Sequence, residues 1–324
     1  MPIPRLIQKV CLCFVVVFLA ACSKSPSNPT GSSSEASPIS GHEIRLAALS
    51  PAIAVMLRDL GYEDRIVAKH DYDLILSDQI PAAGSELGFD LETLIETKPT
   101  HVFFQRTSAE RSSRFSQIAD EQGWVVFERP LNTLDDIATT MDDLYYLFNG
   151  FPQREPGQHD MSEALDHALP SAALATTWSD LGPVADHAGR VLVLGSVDPI
   201  GAMGPGSYHY QIIERLGATP AITEGSMWIE LDYEDLIELN PDAIIIIAPR
   251  VGTDESAESE RFAEPAQPTV EDALALLGPI ADLPISAIER NQIGIIDHPL
   301  GLLPSGALGE VAQDIARMLR EWDQ

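Results

Sequence analysis

His70, His209 and His298 each fall on a turn or a helix start beside an apolar run. An imidazole in such a place can ligate iron, cobalt or zinc, and His70 with Tyr72 could give haem an axial ligand. Equally, the three rings can be hydrogen-bonding groups on a polar rim. Arg106 and Arg250 can pair with carboxylate or catecholate oxygens through their planar forks, or lie idle on the surface. Tyr72, Tyr208 and Trp228, with Met203 and Met227, add flat and polarizable surface of the kind a macrocycle or catecholate rests on. Ser50, in the tight turn Leu49-Ser50-Pro51, adds a hydroxyl.

These side chains need a scaffold that brings them together, and the chain repeats one. Leu91 to Phe104 (LETLIETKPTHVFF) and Tyr233 to Ile246 (YEDLIELNPDAIII) match at Glu92/Glu234, Leu94/Leu236, Ile95/Ile237, Glu96/Glu238 and Pro99/Pro241. Each reads as a short amphipathic helix stopped at a residue–Pro pair, then an apolar run too short for a helix, as in a parallel strand covered on both faces. Upstream of each lies a helix ending at glycine, Pro51 to Gly61 and Ser207 to Gly217. Apolar strands precede these helices, Ile44 to Ala47 and Val191 to Leu194, and short apolar stretches follow, Arg65 to Ala68 and Ala218 to Thr223. The order strand, helix-Gly, strand, helix-Pro, strand thus occurs twice and predicts two related α/β lobes with mainly parallel sheets. Between them, Leu134 to Phe148 and Asp160 to His187 have helical spacing, the second interrupted by Pro170 and Pro183. In open parallel sheets ligands bind beyond the carboxyl ends of the strands, so Ser50, His70, Tyr72, Arg106, Tyr208, His209, Trp228, Arg250 and His298 are expected around one cleft between the lobes.

Ahead of the lobes, Arg5 and Lys9 precede the apolar run Val10 to Ala21, shorter than the about 20 residues that span a bilayer. A basic start, a short apolar core and a small-residue exit describe a secretory signal. Its end, Leu19-Ala20-Ala21-Cys22, resembles the bacterial lipobox, which implies cleavage before Cys22 and a lipid on its sulfur. Ser23 to Gly41, rich in Ser, Pro and Gly, cannot bury enough surface to fold; as a coil it spans about 25 Å. The expected organisation is a signal in residues 1–21, a lipidated Cys22 and linker in 22–42, an N-terminal lobe in 43–132, a helical connection in 133–188 and a C-terminal lobe in 189–324.

Composition narrows the function. The three cysteines are Cys11, Cys13 and Cys22, so the folded part has neither a disulfide nor a thiol nucleophile and rests on its apolar core. A formal charge of −29 repels nucleic acid and anionic lipid, and Asp254 to Glu264 reads as an exposed acidic loop. Neither Gly-x-Ser-x-Gly nor His-Glu-x-x-His occurs, which argues against a hydrolase.

The turn Leu-Ser-Pro, LRDLGYEDRIVAKHDYD, LETLIETKPTHVFF, GPGSYHYQIIERLGATPAI, YEDLIELNPDAIIII and RNQIGIIDHPL, in that order over Glu43 to Trp322, resemble the periplasmic substrate-binding proteins of ABC importers for iron–siderophores, haem and cobalamin. The resemblance implies the class III fold, two lobes joined by a long helix. It also implies a monomeric, non-enzymatic carrier with no resident cofactor, lipid-anchored outside the cytoplasm, whose ligand is an iron or cobalt chelate or haem. It implies an ABC permease dimer as partner, docked on Glu92 and Glu234, although both residues can instead favour the positive ends of their helices. A sensory lipoprotein with the same fold is the alternative. Two departures stand out: Pro170 and Pro183 imply a kinked or shortened connecting helix, and His70-Asp71-Tyr72-Asp73 replaces the Tyr-Pro pair common in the first-lobe loop.

Overall fold

The computed structural model describes residues 44–106, 112–150, 169–184, 188–248 and 268–322. Cys22, the linker, Arg250 and the acidic loop lie outside them. Contacts divide the chain into Met1–Ser37 and Pro38–Gln324, and all the described residues belong to the second unit.

The first sheet holds β1 (Leu46–Ala48), β2 (Ile66–His70), β3 (Ala82–Ser85), β4 (Gly88–Phe89), β5 (His101–Gln105) and β6 (Val125–Arg129), in the order β4-β3-β2-β1-β5-β6. Only β3 and β4 pair antiparallel. Its helices are α1 (Pro51–Asp59), α2 (Leu91–Thr97) and α3 (Ser113–Gln122). Then come α4 (Leu134–Asn149) and α5 (Pro170–Leu181). The second sheet holds β7 (Arg190–Val197), β8 (Ile200–Met203), β9 (Thr219–Pro220), β10 (Trp228–Leu231), β11 (Ala243–Ile247) and β12 (Ile293–Ile296). Its order is β10-β8-β7-β11-β12, with β9 also on β7. α6 (Tyr208–Arg215), α7 (Tyr233–Leu239), α8 (Val270–Leu277), α9 (Ser286–Glu289) and α10 (Leu308–Trp322) complete it.

The fold is the expected two-lobe α/β arrangement, and its repeat extends to single hydrogen bonds. Lys98 and Asn240, the residues before the paired prolines, both take left-handed backbone, with φ of 49° and 41°. Proline disfavours right-handed helix in the residue before it, and the left-handed turn ends the helix while letting the next strand begin. The carbonyl of Lys98 accepts from Arg45 Nε at 3.1 Å, and that of Asn240 from Arg190 Nη2 at 2.7 Å. The backbone N–H of these arginines donates in turn to the side chain after each proline, Thr100 Oγ1 at 3.0 Å and Asp242 Oδ2 at 2.9 Å.

The two lobes are not copies throughout. In the second, β7 folds back through the turn at Asp198 and Pro199 into the antiparallel β8, and β10 adds to that edge. None of these antiparallel partners is expected from the sequence, nor are β3 and β4. Of the expected helix Asp160 to His187, residues 160–168 and 185–187 lie outside the described residues; in the described part Pro170 occupies the first turn of α5, where a missing N–H costs nothing, and Pro183 lies beyond the closing Gly182. α5 is therefore bracketed by its prolines and short, and Asp142 holds it to α4 by accepting from Ser171 N–H at 3.1 Å and Oγ–H at 2.7 Å.

Alternate residues along the central strands feed different cores. Val102 and Phe104 of β5 face a cluster with Leu94, Phe115 and Trp124, while Phe103 faces the other way. Ile244 and Ile246 of β11 pack with Leu236 and Leu277, and Ile245 and Ile247 point to the opposite side. Full burial of each such side chain contributes about 1.5–3 kcal/mol relative to exposure, which is why both runs are apolar without a break. The opposite-side residues join one cluster that runs from Ile53 and Phe103 through Leu144 and Leu174 to Val193, Ile212 and Ile315. The lobes thus share a core through α4, α5 and α10. Leu134 N–H, donating to Gln211 Oε1 at 2.9 Å, adds a polar link between them.

Candidate ligand-binding site

A pocket of about 470 Å³ opens in the first lobe beyond the carboxyl ends of β1, β2, β5 and β6. Leu49, Ser50 and Pro51 line it from the start of α1, His70 from β2, Phe104 and Gln105 from β5, and Glu128 from β6. The β3–β4 turn, Ser85 to Gly88, forms one wall. Ser85 Oγ accepts from Leu87 N–H and donates to the Gly88 carbonyl, both at 3.2 Å, which leaves the Leu87 side chain fully exposed at the tip. The floor is a phenylalanine cluster: the Phe89 ring lies 4.9 Å from Phe104 and 5.1 Å from Phe115, and Phe104 meets Phe115 edge-on at 5.5 Å. Packing of this kind adds about 0.5–1.5 kcal/mol per pair beyond area burial.

Ser50 and His70, both expected site residues, come together here. Ser50 precedes α1 but its hydroxyl does not cap the helix; its oxygen is buried with no hydrogen-bond partner. His70 Nδ1 lies 3.1 Å from the Tyr72 N–H and 3.0 Å from Asp71 Oδ1. A neutral ring accepts from the first, and a protonated ring donates to the second. Tyr72 stacks on His70 at 5.9 Å and is 62% exposed. Arg106 stands at the edge, its Nε 3.5 Å from Glu128 Oε1.

The second-lobe residues divide. Trp228 is 45% exposed, and its indole lies flat on β7 and β8 over Gly195 and Gly201, with Met203 beside it. Any Cβ at either glycine would run into the ring. Trp228 therefore sits on a strand, not in a loop, and forms a shelf of its own; it does not line the first-lobe pocket.

His209 is a correction. It is wholly enclosed, its Nε2–H donates to the Gly301 carbonyl at 2.8 Å, and burial lowers its pKa to about 4. The ring is a neutral strut beneath the loop that follows β12 and cannot touch a ligand in the cleft. Tyr208 is likewise committed: its hydroxyl donates to the Leu302 carbonyl at 2.6 Å, and burial raises its pKa. His298 has both nitrogens engaged, Nδ1 accepting from Leu300 N–H at 3.1 Å and Nε2 facing Glu310 Oε2 at 3.0 Å. Among the described residues no group of three His, Cys, Asp or Glu side chains gathers to hold a metal ion, and no helix is long and apolar enough to cross a membrane.

Glu92 and Glu234 are exposed at matching places near the starts of α2 and α7. Capping falls to their neighbours. Asp90 accepts from the N–H groups of Glu92 and Thr93, and the Thr93 hydroxyl and N–H hold its carboxyl below the ordinary value. Asp232 and Asp235 form a capping box across the first turn of α7. Ile95 and Ile237, one turn on, are exposed as well.

Sequence reasoning did not find Phe89, Phe115, Ser85 to Gly88 or Glu128. The available signal was the Ser-Glu-Leu-Gly turn between two short β-prone stretches.

No protein-family model and no curated protein matches the chain. Solved structures do. The periplasmic vitamin B12 binding protein BtuF of Vibrio cholerae superposes with a TM-score of 0.58 at 16% identity, over 86% of this chain and 98% of that one. The periplasmic heme binding protein HutB of Vibrio cholerae gives 0.60 at 18%, over 86% and 99%. An ABC-type Fe3+-hydroxamate transport system structure from Saccharomonospora viridis gives 0.55 at 18%, over 86% and 93%. With two sheets joined through helices into one core, the chain has the class III periplasmic-binding fold.

Proposed function

We propose that the protein is a substrate-binding lipoprotein that captures a metal chelate between its lobes and delivers it to an ABC importer, with no chemistry of its own. The observation that carries this reading is the pocket at the carboxyl ends of the first-lobe strands, in a fold shared with proteins that bind vitamin B12 and haem. Ser50, His70, Tyr72 and Arg106 contact the ligand from one lobe, and Trp228 and Arg250 from the other.

In this reading residues 1–21 are the signal, Cys22 carries the lipid, and residues 22–42 tether a lobe of 43–132, a helical connection of 133–188 and a lobe of 189–324 outside the cytoplasmic membrane. The carrier acts as a monomer. Glu92 and Glu234, exposed and released from capping by Asp90 and Asp232, meet the two subunits of the permease. Ile95 and Ile237 give each contact an apolar margin.

Titration of the purified protein with cyanocobalamin, haemin and a ferric hydroxamate, followed by absorption and by tryptophan quenching, tests the reading. Saturable one-to-one binding of at least one at micromolar concentration or tighter is expected. Failure of all three overturns it.

A further inference from the structure

If the protein is a chelate carrier, as proposed, one wall of its first-lobe pocket is built to receive an oxygen of the ligand. Ser50 lines that pocket and immediately precedes α1, a helix of nine residues. Its backbone is that of a helix cap: φ is −140°, ψ is 125°, and its carbonyl accepts from Ala54 N–H at 3.0 Å. Its side chain does not follow. Ser112 and Ser207, in the same position before α3 and α6, accept from the N–H groups of Phe115 and Tyr210, both at 3.2 Å. Ser50 Oγ makes no such bond, and although Ser50 is only 4% exposed, that oxygen has no hydrogen-bond partner. A buried hydroxyl left unpaired destabilises a fold, and native interiors rarely keep one without a reason. The turn that carries it is fixed by other contacts. Leu49 N–H donates to the Phe103 carbonyl at 2.8 Å, and Gly84 of β3 packs so closely that a Cβ there would lie 3.1 Å from Leu49 Cβ. In the first turn of α1, Pro51 has no N–H, no residue is acidic, and the N–H groups of Ala52 and Ile53 have no partner within the helix. The positive end of the α1 dipole therefore stands at the pocket wall with its capping hydroxyl uncommitted.

We propose that Ser50 and the first turn of α1 form a donor site for a carbonyl-type oxygen on the rim of the chelate, an amide or a carboxylate. The Ser50 hydroxyl rotates to donate to that oxygen, and the partial positive charge at the helix end favours it in either form. The phenylalanine floor lies under the apolar body of the same ligand. A bond that folding leaves unmade is thus made on binding.

The test uses the purified full-length chain, its Ser50→Ala variant and three probes: cyanocobalamin and the ferric complex of desferrioxamine, which present amide carbonyls, and haemin, which presents carboxylates. Ser50→Ala should weaken the binding of at least one probe about tenfold. Weakening for either of the first two assigns the site to an amide, and weakening for haemin assigns it to a carboxylate. The empty variant should unfold in urea at the same concentration as the unaltered protein or a higher one, because the fold loses no bond. Affinities within about twofold for every probe that binds overturn the donor site and leave the carrier reading standing. A lower urea midpoint for the empty variant makes the hydroxyl an ordinary cap, and overturns the site whatever binds. Binding of none of the three to the unaltered protein removes the carrier reading itself, and the donor site with it.

Discussion

The Nε2–H of His209 donates to the carbonyl of Gly301 across 2.8 Å, and no part of His209 is exposed to solvent. That bond ties α6 to the loop leading into α10, 92 residues away. The neutral ring carries its one proton on Nε2, and the buried Nδ1 has no hydrogen-bond partner.

Acid should therefore loosen the protein at this point. The folded pKa is about 4, below the ordinary value of 6.5, so the unfolded chain takes up the proton first. Stability from this group is complete above about pH 6.5, falls as the pH drops through the window to about 4, and then levels off. The full loss is about 3 kcal/mol. His209→Gln, which keeps a donor for Gly301 and cannot titrate, should flatten that limb. Thermal unfolding followed from pH 7 to 4 checks it; equal slopes for the two proteins would refute the assignment.

Gly201 should be intolerant of even a methyl group. Gly201→Ala places a carbon in the space of the Trp228 indole, and crowding of this kind costs about 1–3 kcal/mol. The Trp228 emission, isolated by subtracting the spectrum of Trp228→Phe, should shift to longer wavelength as the ring is lifted into water. An unshifted spectrum with unchanged stability would mean that the indole does not rest on β8.

Neighbouring acids in each lobe should separate cleanly by role. Asp90→Ala and Asp232→Ala each lose a helix cap and should cost about 1 kcal/mol in denaturant unfolding. Glu92→Lys with Glu234→Lys should leave ligand affinity intact and stability within about 0.5 kcal/mol per site, yet abolish ligand uptake in cells. Undiminished uptake would end the docking proposal.

Lys98 and Asn240 share a left-handed backbone but should respond differently to glycine. Lys98→Gly relieves a conformation that costs a side-chain-bearing residue about 1 kcal/mol or more, and should raise stability by a good part of that. Asn240→Gly gains the same relief but loses the bond in which Ser286 N–H donates to Asn240 Oδ1 at 2.8 Å, worth about 1 kcal/mol. Its net change should lie near zero. Paired urea unfolding curves decide the point.

What was legible in the sequence was what is encoded locally. The apolar runs of β5 and β11, the glycines after α1 and α6, and the residue–Pro stops after α2 and α7 each follow from a few adjacent residues. Placement of the site was legible only in outline. Ser50 and His70 line the pocket because they end parallel strands, a consequence of topology alone. His209 was misplaced because its burial depends on the loop after β12, and nothing near it in the chain signals that contact. Nothing in the sequence marks Phe89 and Phe115, since a phenylalanine in a pocket floor and one in a core have the same neighbours along the chain. The strand position of Trp228 was not legible, because β8 and β10 are short and carry glycine or charge, so neither shows a clean alternation.

The hydrophobic cluster common to both lobes also has a mechanical meaning. Opening the lobes widely would expose this close-packed interior, so rearrangement between them is expected to be small. If the protein is the proposed carrier, its empty and loaded forms present nearly the same outline to a transporter, which must then tell them apart by the stiffness of the joint or by contacting the cargo itself. In the proposed carrier role, unloading then requires the importer to strain the two halves apart, with the common interior acting as the spring that restores the resting form.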